Sequence, residues 1–313
     1  MPELDDGQKK AYDATCKRIL SEKNIAAEIL KGCVSEFADV SVDDIVNKYI
    51  QGTPSVGKIV VEPNEMPSKI ENQYTEDKSE TEGTIFYDVR FNVVAPANGD
   101  LIELIINIEA QNNFNPGYPL LKRAIYYCSR MISSQYGTVF VKSEYEKIKK
   151  VYSIWICTMP TQKWAYTITK YHWQEENFIG NAHAKKADYD LAETVMVCLG
   201  KKTSKELTGL LSMLNLVLLD KLSSKEKIKL LSERFGVKVT PHLEQGVAEL
   251  CNLSEGIEKR GEERGIAIGE ERGKKDILLS LIKSGLDPKY LANSTGIPLE
   301  KINELIQATS QPQ

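Results

Sequence analysis

The residues best placed to do chemistry stand at the end of a largely apolar run, in ELIINIEAQNN at positions 103–113. The run from 104 to 108 ends abruptly in Glu109, Ala110 and Gln111. Successive side chains of a strand point to opposite faces, so Glu109 and Gln111 share one face. The pattern therefore places a carboxylate and an amide side by side at the end of a buried strand.

A second carboxylate, Asp88, lies in the preceding stretch IFYDVRF, where alternation puts it on one face with Phe86 and Arg90. The two stretches are typical of a hairpin, which can bring Asp88 beside Glu109 and Gln111 if register allows. Such carboxylates are costly to bury unless a cation compensates them, and Mg²⁺ or Mn²⁺ prefers these oxygen ligands. Gln111 could add an amide oxygen or orient a water. Spacing alone leaves open that Asp88 and Glu109 are surface residues or are satisfied by neighbouring amides.

The hydrophobic pattern predicts the elements that position these residues. Residues 7–50 are expected to be helical, with Ser41 as an N-cap. Two strands, 84–96 and 101–111, are joined by the turn ANGD, and a helix follows at 118–137. Residues 62–82 hold seven acidic and two basic residues, a net of −5, which favours a solvated loop or outer strand. The remaining predictions are strands at 58–62, 152–160 and 164–173, and helices at about 187–200 and 203–236.

Composition places the chain among ordinary globular proteins. Its 313 residues, net charge of −4 and 42% hydrophobic content suit one large domain with an appendage, or two domains. Any basic surface must be local. Six scattered cysteines and three histidines argue against zinc and fit reduced thiols. The polar N-terminus and the lack of a run of about 18 apolar residues lead us to expect a cytoplasmic protein with no membrane partner.

Asp88, twenty intervening residues and Glu109-Ala110-Gln111 together resemble the PD-(D/E)XK nuclease superfamily in a Glu-x-Gln variant. GTIFYDVRF (83–91), the segment 104–137 and KIKKVYSIWICTMP (147–160) are similar, more closely, to the PD-(D/E)XK nuclease family transposases of bacteria, which are related to recombination-promoting nucleases. The resemblance extends over nearly the whole chain. It implies an α/β restriction-endonuclease-like core, a mixed central sheet flanked by helices, with an α-helical C-terminal extension.

The resemblance also assigns roles to residues. Asp88, Glu109 and Gln111 would be catalytic, with Mg²⁺ (or Mn²⁺) bound by Asp88 and Glu109. Gln111 stands where most of the superfamily has lysine, and an amide can only hydrogen-bond where lysine supplies charge. Either the metal does this work, another cation moves in, or the site is slow or inactive. The superfamily often adds an acid from the first core helix, for which Glu28 is the best placed candidate; the alternative is an exposed helix glutamate.

A local basic surface follows the strand that ends at Gln111. Residues 117–150 contain seven basic and two acidic residues, a net of +5. Arg123, Tyr127 and Arg130 share a face of the predicted helix, and Lys122 lies in a neighbouring row. We expect these four residues to contact DNA phosphates in a salt-sensitive manner. The alternative is that Arg123 and Arg130 pair with surface acids.

Glycine recurs in a charged segment near the C-terminus. Residues 255–275 contain six acidic and six basic residues, with glycines at 256, 261, 265, 269 and 273. Four-residue spacing aligns most of these glycines along one helical stripe. This predicts either a solvated linker helix or a closely packed helix pair, and it weakly favours a homo-oligomer formed through the C-terminal helical region.

The final segment holds Ala292, Gly296 and Ile302 at a spacing that resembles a helix-turn-helix. Glu300 and Glu304 make its second helix a poor phosphate-binding face, which favours a protein-binding helical hairpin. We therefore divide the chain into a nuclease-like domain at 1–245, a charged glycine-repeat linker at 246–275, and a small helical hairpin or helix-turn-helix-like end at 276–313.

These observations predict a metal-dependent DNA endonuclease linked to DNA recombination or mobile elements. The rival hypothesis is a catalytically silent DNA-binding or assembly protein that retains the fold, and Gln111 is the feature that separates the two. A third hypothesis is a structural α/β scaffold whose carboxylates lie apart on the surface.

Overall fold

A computed structural model of the chain describes residues 6–50, 55–56, 76–79, 83–97 and 100–310. These residues form two compact units, 6–253 and 254–310. The first unit contains the sheet, and the second is helical. The division falls within one long helix, Pro241–Lys283, which also contains the expected boundaries at residues 245 and 275.

The first unit mixes strands and helices along the chain. Its strands are β1 (Ser55–Val56), β2 (Glu76–Ser79), β3 (Gly83–Phe86), β4 (Val89–Ala97), β5 (Asp100–Gln111), β6 (Lys150–Cys157), β7 (Thr167–His172) and β8 (Ala192–Cys198). Its helices are α1 (Asp6–Leu20), α2 (Lys23–Cys33), α3 (Val42–Asp44), α4 (Leu120–Ser133), α5 (Lys186–Tyr189), α6 (Gly209–Leu218), α7 (Ser224–Phe235) and the first part of α8 (Pro241–Lys283). The second unit contains the rest of α8 with α9 (Pro288–Thr295) and α10 (Leu299–Ser310).

The main sheet is mixed, with the strand order β1-β4-β5-β6-β8-β7. It consists of five longer strands and the two-residue β1 at one edge, while β2 and β3 form a separate antiparallel pair. The neighbours β5, β6 and β8 run parallel, whereas β4 is antiparallel to β5 and β7 is antiparallel to β8. The expected class is confirmed: the protein is α/β, with a mixed sheet flanked by helices and a helical C-terminal region.

Helices cover both faces of this sheet. Every residue of β6 is buried, as expected for a central parallel strand with a layer on each side. One layer contains α4, which packs on β6 and β8. The α4 residues in this core are Leu120, Ala124, Tyr127, Cys128 and Met131. On β5, the alternate residues Leu104, Ile106 and Ile108 are fully buried, and α1 packs against this strand.

The predicted helix at about 187–200 is wrong. Only Lys186–Tyr189 is helical there, and Ala192–Cys198 is strand β8, between β6 and β7. The run VMVCL is apolar and contains β-branched residues, and a short buried strand cannot be told from a buried helix segment by periodicity alone. Pairing with β6 on one side and β7 on the other makes this segment a strand.

Other predictions agree with the described residues. The helical N-terminal region is confirmed, and the Ser41 hydroxyl accepts a hydrogen bond from the Asp44 amide at 3.1 Å. The hairpin, the helix that follows it and the strands at 152–160 and 164–173 are present as β4–β5, α4, β6 and β7. The predicted strand at 58–62 lies outside the described residues, as does most of the acidic segment 62–82, of which Glu76–Ser79 forms β2.

The second unit is built from helices alone in its described part. Beta-carbons added at Gly265, Gly269 or Gly273 would meet no atom within 4 Å, so this glycine stripe has no closely packed partner among the residues described. Gly296 ends α9 in the left-handed region, at φ +71°, which glycine adopts without strain. Leu291 of α9 and Ile302 of α10 are buried, as a helical hairpin requires.

A lysine is buried where β6 begins. The Lys150 side chain is 8% exposed, and its ammonium lies 2.8 Å from Asp190, 2.7 Å from Glu193 and 3.0 Å from Glu36. Burial opposes the charge, but hydrogen bonds to Asp190 and Glu193 raise the pKa of Lys150. One cation therefore joins β6 to β8 and to the turn after α2.

Replacing Lys150 should destabilise the fold. Lys150→Met removes the shared counter-ion of three carboxylates, and we expect the free energy of unfolding to fall by about 3 kcal/mol in urea denaturation. The matched control is Lys147→Met, because Lys147 forms an exposed ion pair with Glu144 at 2.6 Å. Exposed pairs contribute roughly 0 to 1 kcal/mol. Equal effects of the two changes would contradict a special role for Lys150.

Candidate functional site

The hairpin register brings Asp88 and Glu109 together. Val89 pairs with Ile108, so Asp88, immediately before β4, lies opposite Glu109. The Asp88 amide donates to Glu109 Oε1 at 3.1 Å, and the Ala110 amide donates to Asp88 Oδ2 at 2.9 Å. Each carboxylate thus accepts a hydrogen bond from the opposite strand. The expected juxtaposition of Asp88 with Glu109 is present.

A break in the predicted strand 84–96 allows this arrangement. The strand ends as β3 at Phe86 and resumes as β4 at Val89, leaving Tyr87 and Asp88 between the two. Tyr87 is fully buried and packs edge-on against Tyr127 of α4, with ring centroids 5.4 Å apart. Asp88 is therefore not part of the simple alternation with Phe86 and Arg90 that one continuous strand would produce. Its carboxylate reaches the end of β5 from the break.

A lysine from α1 completes the charge arrangement. Lys17 Nζ lies 2.9 Å from Asp88 Oδ1 and 2.6 Å from Asp13 Oδ2. Burial disfavours its charge, but Asp88 and Asp13 together outweigh burial and raise the pKa of Lys17. Sequence reasoning missed both α1 residues. Their four-residue spacing indicates a helix ion pair, but nothing in the sequence connects that pair with Asp88.

Burial raises the pKa of both carboxylates, but the neighbouring charges act on them differently. Glu109 is 2% exposed, and burial, reinforced by the charge of Asp88, raises its pKa to about 8. Burial also raises the pKa of Asp88, and the Lys17 ammonium opposes that rise. Because Asp88 has the direct ammonium partner, we infer that it carries the negative charge near neutral pH while Glu109 holds the proton.

On the α4 side, Arg123 lies over the aromatic residues next to Glu109. Its Nη2 donates to the Tyr127 hydroxyl at 2.7 Å, and its guanidinium carbon is 5.2 Å from the centroid of the Trp155 ring. Glu109 and Trp155 are register partners on β5 and β6. The positive charge of Arg123 lowers the pKa of Glu109, against the effect of burial. Arg123 is therefore a second cation, besides Lys17, that acts on the carboxylate pair.

Gln111 occupies the last position of β5, and its side chain is directed elsewhere. Its amide nitrogen donates to the Asn113 carbonyl. The structure thus brings Asp88 and Glu109 into direct contact through the backbone, while the Gln111 amide is engaged by the loop that follows β5. Gln111 is uncharged and therefore brings no positive charge to the two carboxylates.

Glu28 is half-buried on α2, where burial raises its pKa and Lys31 opposes the rise. The helix acid whose charge acts on Asp88 is Asp13 of α1. Within 6–50, 55–56, 76–79, 83–97 and 100–310, no three His, Cys, Asp or Glu side chains converge to hold a metal ion. Glu28 is thus not assembled with Asp88 and Glu109 into such a group.

Asp88 and Glu109 are the oxygen donors that would hold a hard divalent cation at this end of the hairpin. Asp88 and Glu109 present two neighbouring carboxylates, and Mg²⁺ is commonly bound by one or two carboxylates while keeping several waters. Both carboxylates have to be ionised, which metal binding would enforce on Glu109. Only the donor type, two carboxylates at one end of the hairpin, agrees with such a cation.

The expected basic surface is smaller than composition suggests. Tyr127 and Arg130 are 7% and 4% exposed, and Lys150 is buried among carboxylates. Arg123 donates hydrogen bonds to the hydroxyls of Tyr118 and Tyr127. Arg130 contacts the hydroxyl of Tyr126. Of the four predicted phosphate-contacting residues, Lys122 is exposed and Arg123 is half-buried.

Comparison of the chain with protein-family models, with curated proteins and with solved structures finds no match. Among the helices of the described part of the chain, none is long and apolar enough to cross a membrane.

Neutralising Glu109 should change how stability depends on pH. A folded pKa of about 8, against an ordinary value of 4.5, means that the native state keeps a proton that the unfolded state releases. Below about pH 4.5 Glu109 is protonated in both the native and the unfolded state, and its contribution to stability is fully present. As pH rises from there through about 8, the free energy of unfolding falls by up to ~1.4 kcal/mol per pH unit. Glu109→Gln lacks this loss.

The measurement is urea denaturation in EDTA between about pH 5 and about pH 8. Glu109→Gln should gain stability relative to wild type across this range. Glu103→Gln, an exposed site on the same strand, controls for removal of a carboxylate. If the wild-type and Glu109→Gln stabilities change in parallel, Glu109 is ionised in the folded protein and the assignment of the proton is wrong.

Proposed function

We propose that this chain is a metal-dependent DNA endonuclease of the PD-(D/E)XK family transposase type, built on a restriction-endonuclease-like core and linked to DNA recombination or mobile elements. The observation that carries the proposal is the contact between Asp88 and Glu109 through opposite backbone amides, at 3.1 and 2.9 Å, at one end of a buried sheet. Burying two carboxylates side by side is costly unless a cation compensates them.

The fold supports the proposal in its order of elements. An antiparallel hairpin, β4–β5, brings the two carboxylates together, and α4 then leads to the parallel strand β6. Helices flank the sheet, as the resemblance implies. This arrangement presents the end of β5 next to the start of α4, where phosphate-contacting side chains would be needed.

Within this proposal, Asp88 and Glu109 would hold Mg²⁺ or Mn²⁺, and the chemistry that such a cation supplies when bound is polarisation of a phosphodiester. Lys17 keeps Asp88 oriented and ionised through the 2.9 Å ion pair. Arg123 offers positive charge on the α4 side of Glu109. Gln111 can donate or accept a hydrogen bond but brings no charge.

The silent alternative also has an observation in its favour. Lys17 already compensates Asp88, and the backbone amides already satisfy an oxygen of each carboxylate. A protein with this arrangement needs no metal to fold, so it could bind DNA or assemble without cleaving. The scaffold hypothesis, with both carboxylates apart on the surface, is not supported, because Glu109 is 2% exposed and contacts Asp88.

Two further expectations, a cytoplasmic location and self-association, belong to the same proposal. All six cysteines are free and buried, which fits a reducing compartment such as the cytoplasm. Self-association through the C-terminal helical region is the partner hypothesis for α8, whose residues Ile266 and Ile268 are more than half exposed. Neither element is required for the chemistry of the carboxylate pair.

Metal binding should stabilise the protein through this pair. Adding Mn²⁺ in excess should raise the free energy of unfolding by about 2.7 kcal/mol at a hundred times the dissociation constant. The gain should be larger above about pH 8 than near pH 6, because binding displaces the Glu109 proton. Asp88→Asn and Glu109→Gln should abolish the gain, and Glu103→Gln should retain it. A gain of equal size in all four proteins would locate the metal elsewhere.

Plasmid nicking at low salt with Mg²⁺ or Mn²⁺ tests the activity. Asp88→Asn and Glu109→Gln should lower cleavage at least about a hundred-fold, since metal catalysis is worth several kcal/mol. Gln111→Lys, which supplies the missing charge, should raise it. Glu103→Gln is the matched control. Equal DNA binding by all variants with no metal-dependent cleavage, even in Gln111→Lys, would identify the silent protein.

A further inference from the structure

The chain between the candidate site and β6 is unusually free of negative charge. No Asp or Glu occurs from Ala110 to Ser143, while Lys122, Arg123, Arg130 and Lys142 fall in this stretch. The stretch includes all of α4, which begins nine residues after Gln111. The solvent-exposed residues of a segment without acids, in a chain whose net charge is −4, are suited to contact a polyanion.

The outer side of α4 presents aromatic rings beside a lysine. Tyr118, just before the helix, is 47% exposed, and Tyr126 is 43% exposed. Lys122 is exposed, midway between them in sequence, and Ile125 is 48% exposed. The four-residue step from Lys122 to Tyr126 places these two side chains along one side of the helix. Tyr118 precedes the helix, and its hydroxyl accepts a hydrogen bond from Arg123 in the first turn. We call Tyr118, Lys122, Ile125 and Tyr126 the outer α4 face.

Two arginines, the half-buried Arg123 and the buried Arg130, contact the hydroxyls of these rings. Arg123 Nη1 donates to the Tyr118 hydroxyl at 3.1 Å, and Arg130 Nη1 contacts the Tyr126 hydroxyl at 3.3 Å. Arg130 is 4% exposed, so its role at this surface is to position the ring and not to reach a phosphate. Rings ordered before binding lose less entropy when a ligand stacks on them.

We infer that the outer α4 face binds single-stranded DNA leading into the Asp88–Glu109 site. Tyrosine rings stack on bases of any sequence, and the faces of those bases are accessible in a single strand but covered in a duplex. Lys122 supplies a contact to the phosphate between stacked bases. Arg123 connects the two regions, because it contacts Tyr118 and its charge acts on Glu109.

This inference deepens the proposed function by naming the form of DNA that the site takes, but its test does not require cleavage. Binding of a fluorescent oligothymidylate of ~16 nucleotides is measured by anisotropy in EDTA and compared with a hairpin duplex of equal length. The full chain is used throughout. We expect the single strand to bind at least about ten-fold more tightly than the duplex, since stacking is worth a few kcal/mol.

Substitutions separate stacking from other effects. Tyr118→Leu and Tyr126→Leu should each weaken oligothymidylate binding about five-fold or more, whereas Tyr126→Phe, which keeps the ring but loses the hydroxyl, should bind nearly as wild type. Lys122→Ala should reduce the salt dependence by about 0.7 in the slope of log K against log salt. Tyr290→Leu, at a 60% exposed tyrosine of the second unit, is the matched control.

Several outcomes would overturn the inference. These are equal binding of duplex and single strand, Tyr118→Leu and Tyr126→Leu variants that bind as wild type, or a Tyr126→Phe variant as weak as Tyr126→Leu. Self-association that these leucine substitutions abolish, with oligothymidylate binding unchanged, would identify a protein partner instead. Tyrosine-dependent binding without metal-dependent cleavage of either plasmid or circular single-stranded DNA sustains the inference and defeats the endonuclease proposal. Cleavage by a protein whose DNA binding does not depend on these tyrosines would support the endonuclease proposal and overturn the inference.

Discussion

The two hydrogen bonds that the Asp88 and Ala110 amides donate to the Glu109 and Asp88 carboxylates are the constraint on which the candidate site depends. Each carboxylate accepts an amide from the other strand, and Glu109 is almost fully buried. Such a pair can be tolerated only if charge is removed or compensated. Both happen here, because Lys17 of α1 pairs with Asp88 while burial raises the pKa of Glu109 to about 8. Arg123 adds positive charge from the α4 side.

This compensation explains why the same site supports two functional hypotheses. A carboxylate pair that holds one proton and one ammonium partner is stable without a metal, yet losing the proton would create two ionised oxygen ligands next to each other. The two hypotheses therefore share the fold and differ in the cation that compensates the carboxylate pair, a divalent metal ion for the nuclease and Lys17 for the silent protein. Gln111, whose amide donates to the Asn113 carbonyl, adds no charge, whereas Lys17 pairs with Asp88 and the charge of Arg123 acts on Glu109.

The two sides of helix α4 differ in their surroundings, the sheet on one side and solvent on the other. Its inner residues, including Tyr127 and Met131, pack on the sheet and hold Arg123 above Trp155. Its outer side exposes Tyr118, Lys122 and Tyr126. The two arginines that the sequence placed on a phosphate-binding face connect these sides, since both contact tyrosine hydroxyls. Helical spacing predicted one shared face for Arg123, Tyr127 and Arg130, whereas packing buries Tyr127 and Arg130 and leaves Arg123 half-buried.

From sequence alone the α/β class and the β4–β5 hairpin could be predicted, because strand patterning and turn chemistry are local properties. Whether the register of that hairpin brings Asp88 to Glu109 stayed open until the strand pairing was known. The sequence could not decide that residues 192–198 form a strand, since a short apolar run fits either a buried helix or a strand until its neighbours are known. It also could not bring Lys17 to Asp88 or bury Lys150 among three carboxylates. Those contacts join residues far apart along the chain, and only the packing of helices on the sheet makes them neighbours.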